Sequence, residues 1–333
     1  MTDPAPKPRR RRRRTLLALG ALAGLLVGVG AWTAGRHGSK PAHPSPNGHD
    51  DLTRAGALIQ GPWPGGGDLA KADLEAVRPF LAANEPALEL ARLGLMRECV
   101  ASFPNSQEGL TKNGEDQGRI RSVSRLIRAQ ARVFEADGRL VDASRNCREL
   151  LELGQAATQG GMGNDMALGS VLQGQALDRL RSLRDRLPAD ECRAILRDLE
   201  SLDRRRVTLG AVLARHDRWY RGTFGLVQRT WFRLNGLEQE GRAGQLSIAK
   251  LVRDRIERAM RFFQVGLAIH THHLDRREWP RSVAELVPRY LAAVPIDPAT
   301  GQPIDYPKNP SGELTDDLGA IGRADGRVDT PGP

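Results

Sequence analysis

The chain is short of cysteine, of aromatic rings, of lysine and of recognisable catalytic motifs. Its three cysteines, Cys99, Cys147 and Cys192, fit no zinc-ligand spacing, and an odd number leaves one over in any intramolecular pairing. Buried thiols are therefore at least as good a reading as a disulfide. No nucleophile elbow, H-E-x-x-H, paired-cysteine motif or triad signature is present. Gly160-Gly161-Met162-Gly163-Asn164 lacks the Gly-Lys-Ser/Thr ending of a phosphate loop and follows a helical pattern rather than a strand, so it reads as an interhelical turn. Only six of the 50 basic residues are lysines, a compositional bias under which arginine-rich helix faces read first as solvated surface paired with Asp and Glu.

The net charge of +10 misleads unless it is divided along the chain. Residues 1–14 hold Lys7 and Arg9 to Arg14 against Asp3, which is +6, and the remaining 319 residues carry +4. That small excess removes most of the apparent case for a nucleic-acid binder. A chain that is 40% hydrophobic and 27% charged suits a globular helical body and excludes both a disordered chain and a multi-span membrane protein.

Thr15 to Ala34 is a run without a charge, long enough as a helix to cross a hydrocarbon core of about 30 Å. Six arginines precede it and only Arg36 and Lys40 follow closely, so the positive-inside rule keeps 1–14 cytoplasmic and sends the rest out. Trp32 suits the headgroup region, and Gly20, Gly24 and Gly28 form a small-residue row. A cleaved signal peptide is the rival, with Val29-Gly30-Ala31 as the cleavage site and Arg13-Arg14 as a loose twin-arginine feature. The length of the apolar run and the lack of a clean A-x-A favour a retained single-pass signal anchor.

Beyond the anchor, residues 35–67 concentrate Pro, Gly, Ser and His and read as a flexible linker, with His37, His43 and His49 as solvated spacer and the apolar run Ala55 to Ile59 able to dock on the body. From 68 to 291 the pattern is helical. Asp73 is placed to cap one helix and Pro86 to open the next. Ile120, Val123, Ile127 and Ala131, then Val141, Ala143, Cys147 and Leu150, keep helical spacing around an Asp137-Gly138-Arg139 turn, a single tetratricopeptide-like hairpin. Further helices are expected near 165–187, 189–214 and 245–275, and a short one, capped by Ser282 with Glu285, over Val283 to Leu291. Residues 292–333 read as an irregular or marginally β end. The expected fold is thus mostly α: a transmembrane helix, a linker and an antiparallel helical-hairpin body.

The segment Phe263 to Tyr306, with its Trp279-Pro280, its Glu285-Leu286-Val287-Pro288-Arg289-Tyr290-Leu291 and its Asp297-Pro298-Ala299-Thr300-Gly301-Gln302-Pro303, resembles the C-terminal region of major pseudopilins of type II secretion systems. The Arg323-Ala324-Asp325-Gly326 tail adds to the likeness. The beginning departs from that family: a pseudopilin opens with a short leader, a Gly cleavage site and Phe-Thr-Leu-Ile-Glu, none of which stands here. Over its whole length the chain resembles an uncharacterised family of membrane-anchored helical bacterial envelope proteins, on Leu74 to Glu85 and Ala131 to Gly138 together with this ending. That resemblance implies envelope location and a helical fold, and no activity.

Candidate sites are few. His270 and His273, with His272 between them, stand on one helix face with Asp275 or Glu278 as the nearest further ligands, two histidines short of a coordination set. Asp316, Asp317, Asp325 and Asp329 offer oxygen ligands, and the pseudopilin resemblance implies a weak calcium site there, although the spacing fits no EF-hand. Arg215 to Arg233 gathers Trp219, Tyr220, Phe224, Trp231 and Phe232, five of the fifteen aromatics, among arginines. Trp219, Tyr220, Trp231 and Phe232 are the preferred partner-facing residues, since interfaces favour Trp, Tyr and Arg. Anionic lipid headgroups would suit the same surface, and the alternative is that the rings cover the middle of the long terminal helix.

The expected function is a non-enzymatic, membrane-anchored structural or protein-interaction module. It touches the bilayer through 15–34, an unidentified envelope protein through its body, and no nucleic acid, and it needs no cofactor. The alternatives are an accessory of a type II secretion or pseudopilin-like assembly and an exported hydrolase with an unrecognised site.

Overall fold

The computed structural model describes residues 44–67, 72–235 and 237–306, with side chains left undescribed at 66–67, 237–246 and 248. The expected anchor 15–34, the basic segment 1–14, His37, His43 and the tail 307–333 lie outside these residues. Among the described residues there are ten α-helices and no strand: α1 Gly48–Leu58, α2 Leu74–Ala83, α3 Glu85–Leu95, α4 Gln107–Ala136, α5 Leu140–Thr158, α6 Gly163–Leu183, α7 Ala189–Arg204, α8 Leu209–Thr223, α9 Leu226–Leu234 and α10 Leu237–Arg276. No helix of the described residues is long and apolar enough to cross a membrane.

The core is built on α4, α5, α6 and the C-terminal half of α10. Ile120, Val123, Leu126 and Ile127 from α4 meet Leu150, Leu151 and Leu153 from α5, and Leu172, Leu177 and Leu180 from α6. Met260, Phe263, Val265, Leu267 and Ile269 of α10 close the cluster, all between 0 and 3% exposed. α5 and α6 approach closely because Gly154 and Gly169 face each other: a Cβ on Gly169 would stand 2.3 Å from the Gly154 carbonyl oxygen. The Asp137-Gly138 turn forms as expected, tied by Arg78, whose guanidinium donates to both Asp137 oxygens at 2.6 and 3.0 Å. The Asp73 carboxylate caps α2 by accepting from the Glu75 amide, and Pro86 lies in the first turn of α3.

Three expectations need correction. Part of the expected linker 35–67 is α1, a buried helix with His49, Asp51, Leu52 and Ala55 at 5% exposure or less. Its prolines flank the helix instead of interrupting it, and Gly48 and Gly56 lie within it. The Asn47 side chain accepts from the His49 amide at the helix start and clasps the Val100 backbone in both directions, at 2.9 and 3.0 Å. A glycine pair again allows close packing, since a Cβ on Gly48 would meet the Gly94 carbonyl oxygen at 2.2 Å. His49 is thus a core residue, not a spacer.

The helix expected over 189–214 is two helices, α7 and α8, separated at Arg205 to Thr208. Thr208 starts the second by accepting from the Ala211 amide at 3.2 Å. The short helix expected over Val283 to Leu291 shrinks to a 3-10 turn, Val283–Leu286. Pro288 forces the residue before it out of the helical region, and Val287 is extended, at φ −95° and ψ 138°.

The end of the described chain is irregular but well packed. A single antiparallel bridge joins Ile296 to Pro303 across the Asp297–Gly301 turn, in which the Gly301 amide donates to the Asp297 carbonyl at 2.8 Å. Arg258 pairs with Asp297 at 3.1 Å, Arg261 donates to the Ile296 carbonyl at 2.7 Å, and Ile304 and Tyr306 enter the core.

Candidate functional site

The aromatic and arginine-rich stretch folds into α8, a break at Phe224-Gly225, and α9. Its rings form a ladder from core to surface. Trp219, 8% exposed, packs with Ala101, Phe103 and Met162, and its indole N–H donates to the Ser106 carbonyl at 3.0 Å. The Phe224 ring stands edge-on to Trp219 at 5.8 Å and to Phe232 at 5.1 Å, and Trp231 lies 5.5 Å beyond Phe232. Tyr220 flanks Phe224 at 5.3 Å. Trp219, expected to face a partner, is therefore a core residue of a satellite cluster. That cluster covers the 101–106 loop. Tyr220 and Phe232 are half-buried, and only Trp231 of the four residues stands out at the surface.

α9 has no buried residue. Its outer face carries Leu226 at 71% exposure, Val227 at 83%, Trp231 at 55% and Leu234 at 81%. At about 100° per residue these four and Thr230 fall within an arc of roughly 140°. Phe232 points the opposite way, against Phe224, and holds the helix to the body. Arg229 and Arg233 border the arc. Residues 215–235 contain five arginines, at 215, 218, 221, 229 and 233, against Asp217 alone. That excess of +4 equals the whole excess carried by residues 15–333, so the remainder of the chain beyond the N-terminal arginines is electrically balanced. Arg215 is the inner member: its guanidinium stacks over Phe103 at 4.2 Å and donates to Asn105 and to the Phe103 carbonyl, and burial followed by the charge of Arg218 lowers its pKa.

The histidine cluster is absorbed into packing. His270 is 7% exposed, His272 bonds through Nδ1 to the Glu278 carbonyl at 3.1 Å, and His273 stacks flat on Trp279 at 3.9 Å. Asp275, the nearest further ligand, is held by Arg193 at 2.9 Å and by the Tyr290 hydroxyl at 3.1 Å. Among the described residues no three His, Cys, Asp or Glu side chains converge on a common point for a metal ion. Asp316, Asp317, Asp325 and Asp329 lie outside the described residues. The cysteines are unpaired and buried, and burial pushes the thiols of Cys99 and Cys147 up to about 12 and that of Cys192 up to about 11.

Two features were not foreseen from the sequence. A buried polar knot joins α1, α4 and α6: Asp165, 3% exposed, accepts from Asn113 at 3.1 Å, from Gln117 at 2.7 Å and from the Met162 amide at 2.7 Å. Burial raises the Asp165 pKa against those hydrogen bonds, and burial lowers that of neighbouring His49 against the pull of Asp116, Asp50 and Asp165. The signal was available in Asn113, Asp116 and Gln117, which share one face of α4. The second feature is a cleft of about 560 Å³ between α4, α5 and α6, floored by Ile127, Ala131, Cys147 and Leu150 and rimmed by Arg128 and Arg179. Burial, then Arg125 and Arg179, lower the pKa of Arg128.

The cleft is recessed, and its lining also carries Asn146, Asp178 and Ser182, with Asp178 paired to Arg181 at 3.1 Å. What the molecule presents outward instead is the apolar, cation-bordered face of α9. Comparison of the chain with protein-family models, curated proteins and solved structures finds no match.

Proposed function

We propose that this chain is a non-enzymatic envelope protein, held in the bacterial inner membrane by residues 15–34, whose extracytoplasmic helical body is a docking module. The contact surface is the outer face of α9. One observation carries this reading: Leu226, Val227, Trp231 and Leu234 are exposed together on a nine-residue helix that the ring ladder fixes to the body. Large apolar groups displayed side by side on a rigid support mark a surface that meets another component.

The test is a photo-crosslinking amino acid placed at Val227 in the full chain in cells, with the same group at Met96 as control. Met96 is 78% exposed and remote from α9 in sequence. Adducts from position 227 and none from position 96 support the docking reading. Recovery of secretion components in those adducts supports the pseudopilin-type assembly. A bait that begins after Ala31 and forms no adduct from either position overturns both anchor and docking, and reopens the exported-hydrolase reading.

A further inference from the structure

We infer that the component met by the α9 face is the lipid surface itself: α9 lies in the plane of the membrane with Leu226, Val227, Trp231 and Leu234 among the outer acyl chains and its arginines on anionic headgroups. The inference deepens the docking reading and rests on it.

Several observations favour lipid over a protein partner. The polar groups on the outer arc are few, the Trp231 indole N–H and the Thr230 hydroxyl, and that hydroxyl already donates to the Leu226 carbonyl at 2.9 Å, so the arc has little with which to read a protein surface. The charge is one-sided: five arginines against Asp217 between 215 and 235, in a chain that is otherwise balanced beyond residue 14. Arg229 and Arg233 sit at the border of the arc, where long side chains reach from an embedded helix back to phosphate. The opposite face is committed to the body through Phe232, Phe224 and Tyr220, so α9 can enter an interface without unfolding anything. Trp231, half out and next to Phe232, has the amphipathic ring that favours the headgroup layer.

The experiment uses the full chain carrying Val227→Cys labelled with an environment-sensitive fluorophore, and Met96→Cys labelled likewise; the three native cysteines are buried. Each is mixed with vesicles of phosphatidylcholine alone and of phosphatidylcholine with phosphatidylglycerol, and flotation is read beside access of an aqueous quencher. The expected result is flotation with both vesicle types, and a severalfold fall in quenching at position 227, not at 96, with phosphatidylglycerol only. High salt reverses the shielding. A double substitution, Leu226→Asp with Leu234→Asp, abolishes it while thermal unfolding is unchanged. Flotation with an accessible 227 probe overturns the lipid inference and leaves the anchor standing. Flotation only with phosphatidylglycerol, lost in salt, removes the anchor and keeps the inference. No flotation overturns both, and shielding at 227 without vesicles assigns the face to a second copy of the chain.

Discussion

Two short helices of this protein exchange the roles that their residues suggest. α1, Gly48–Leu58, contains His, Asp, Thr and Arg and lies between prolines and glycines, yet it is buried on one side down to its aspartate. α9, Leu226–Leu234, contains Leu, Val, Trp and Phe and buries none of them fully. The difference lies in what each helix meets. α1 has a socket: the Asn47 clasp on Val100, the Gly48–Gly94 approach, and Arg97 reaching the 1%-exposed side chain of Asp51 at 2.5 Å. α9 is held by Phe232 against Phe224 and turns its apolar arc away from the body. Composition sets what a helix is able to bury, and the neighbouring surface decides what it does bury.

The comparison breaks most sharply at the core. Leu52→Ala in α1 and Trp219→Ala beneath α9 each should destabilise the body by about 2–5 kcal/mol, read by thermal or denaturant unfolding. A surface-like effect at Leu52 would return α1 to the linker class. Asn47→Ala should cost about 1–2 kcal/mol, because the helix cap and both bonds to Val100 go together; hydrogen exchange should rise first in α1.

A subtler difference is electrostatic. The pKa of His49 is lowered by burial, so the folded state binds fewer protons than the unfolded one as pH falls below the ordinary value of 6.5. Its contribution to stability is present above that value and is lost on acidification, at no more than about 1.4 kcal/mol per pH unit. Asp165, raised by burial, has the opposite sign: its contribution weakens the folded state as pH rises above the ordinary carboxylate value. His49→Gln should therefore flatten the unfolding midpoint between neutral and mildly acidic pH, and an unchanged slope would mean that another group titrates there. Smallest of all, Val227→Ser and Leu234→Ser should shift stability by less than about 0.5 kcal/mol, since neither side chain is buried.

Much of this was legible in the sequence. The α4–α5 hairpin, its Asp137-Gly138 turn and the apolar stripe of α10 follow from three-and-four-residue spacing, because long amphipathic helices carry their own register. α1 was illegible because its partners, Gly94 and Val100, are distant in the chain and polar residues carry half of its buried face. The α7–α8 break was hidden by continuous helical spacing across Arg205 to Thr208. At the candidate site, the ring cluster singled out the segment that carries α8 and α9, yet ring type alone placed Trp219 and Trp231 together. The spacing of Leu226, Val227, Trp231 and Leu234 held the outer face in plain view, while their exposure is a tertiary fact.

The most direct measurement is hydrogen exchange by mass spectrometry on the full chain, in detergent and in vesicles containing phosphatidylglycerol. Protection of α1 and α4 in both states, with α9 gaining protection only in the vesicles, is the predicted result. Rapid exchange of α1 in both states, or an α9 indifferent to the vesicles, would contradict it.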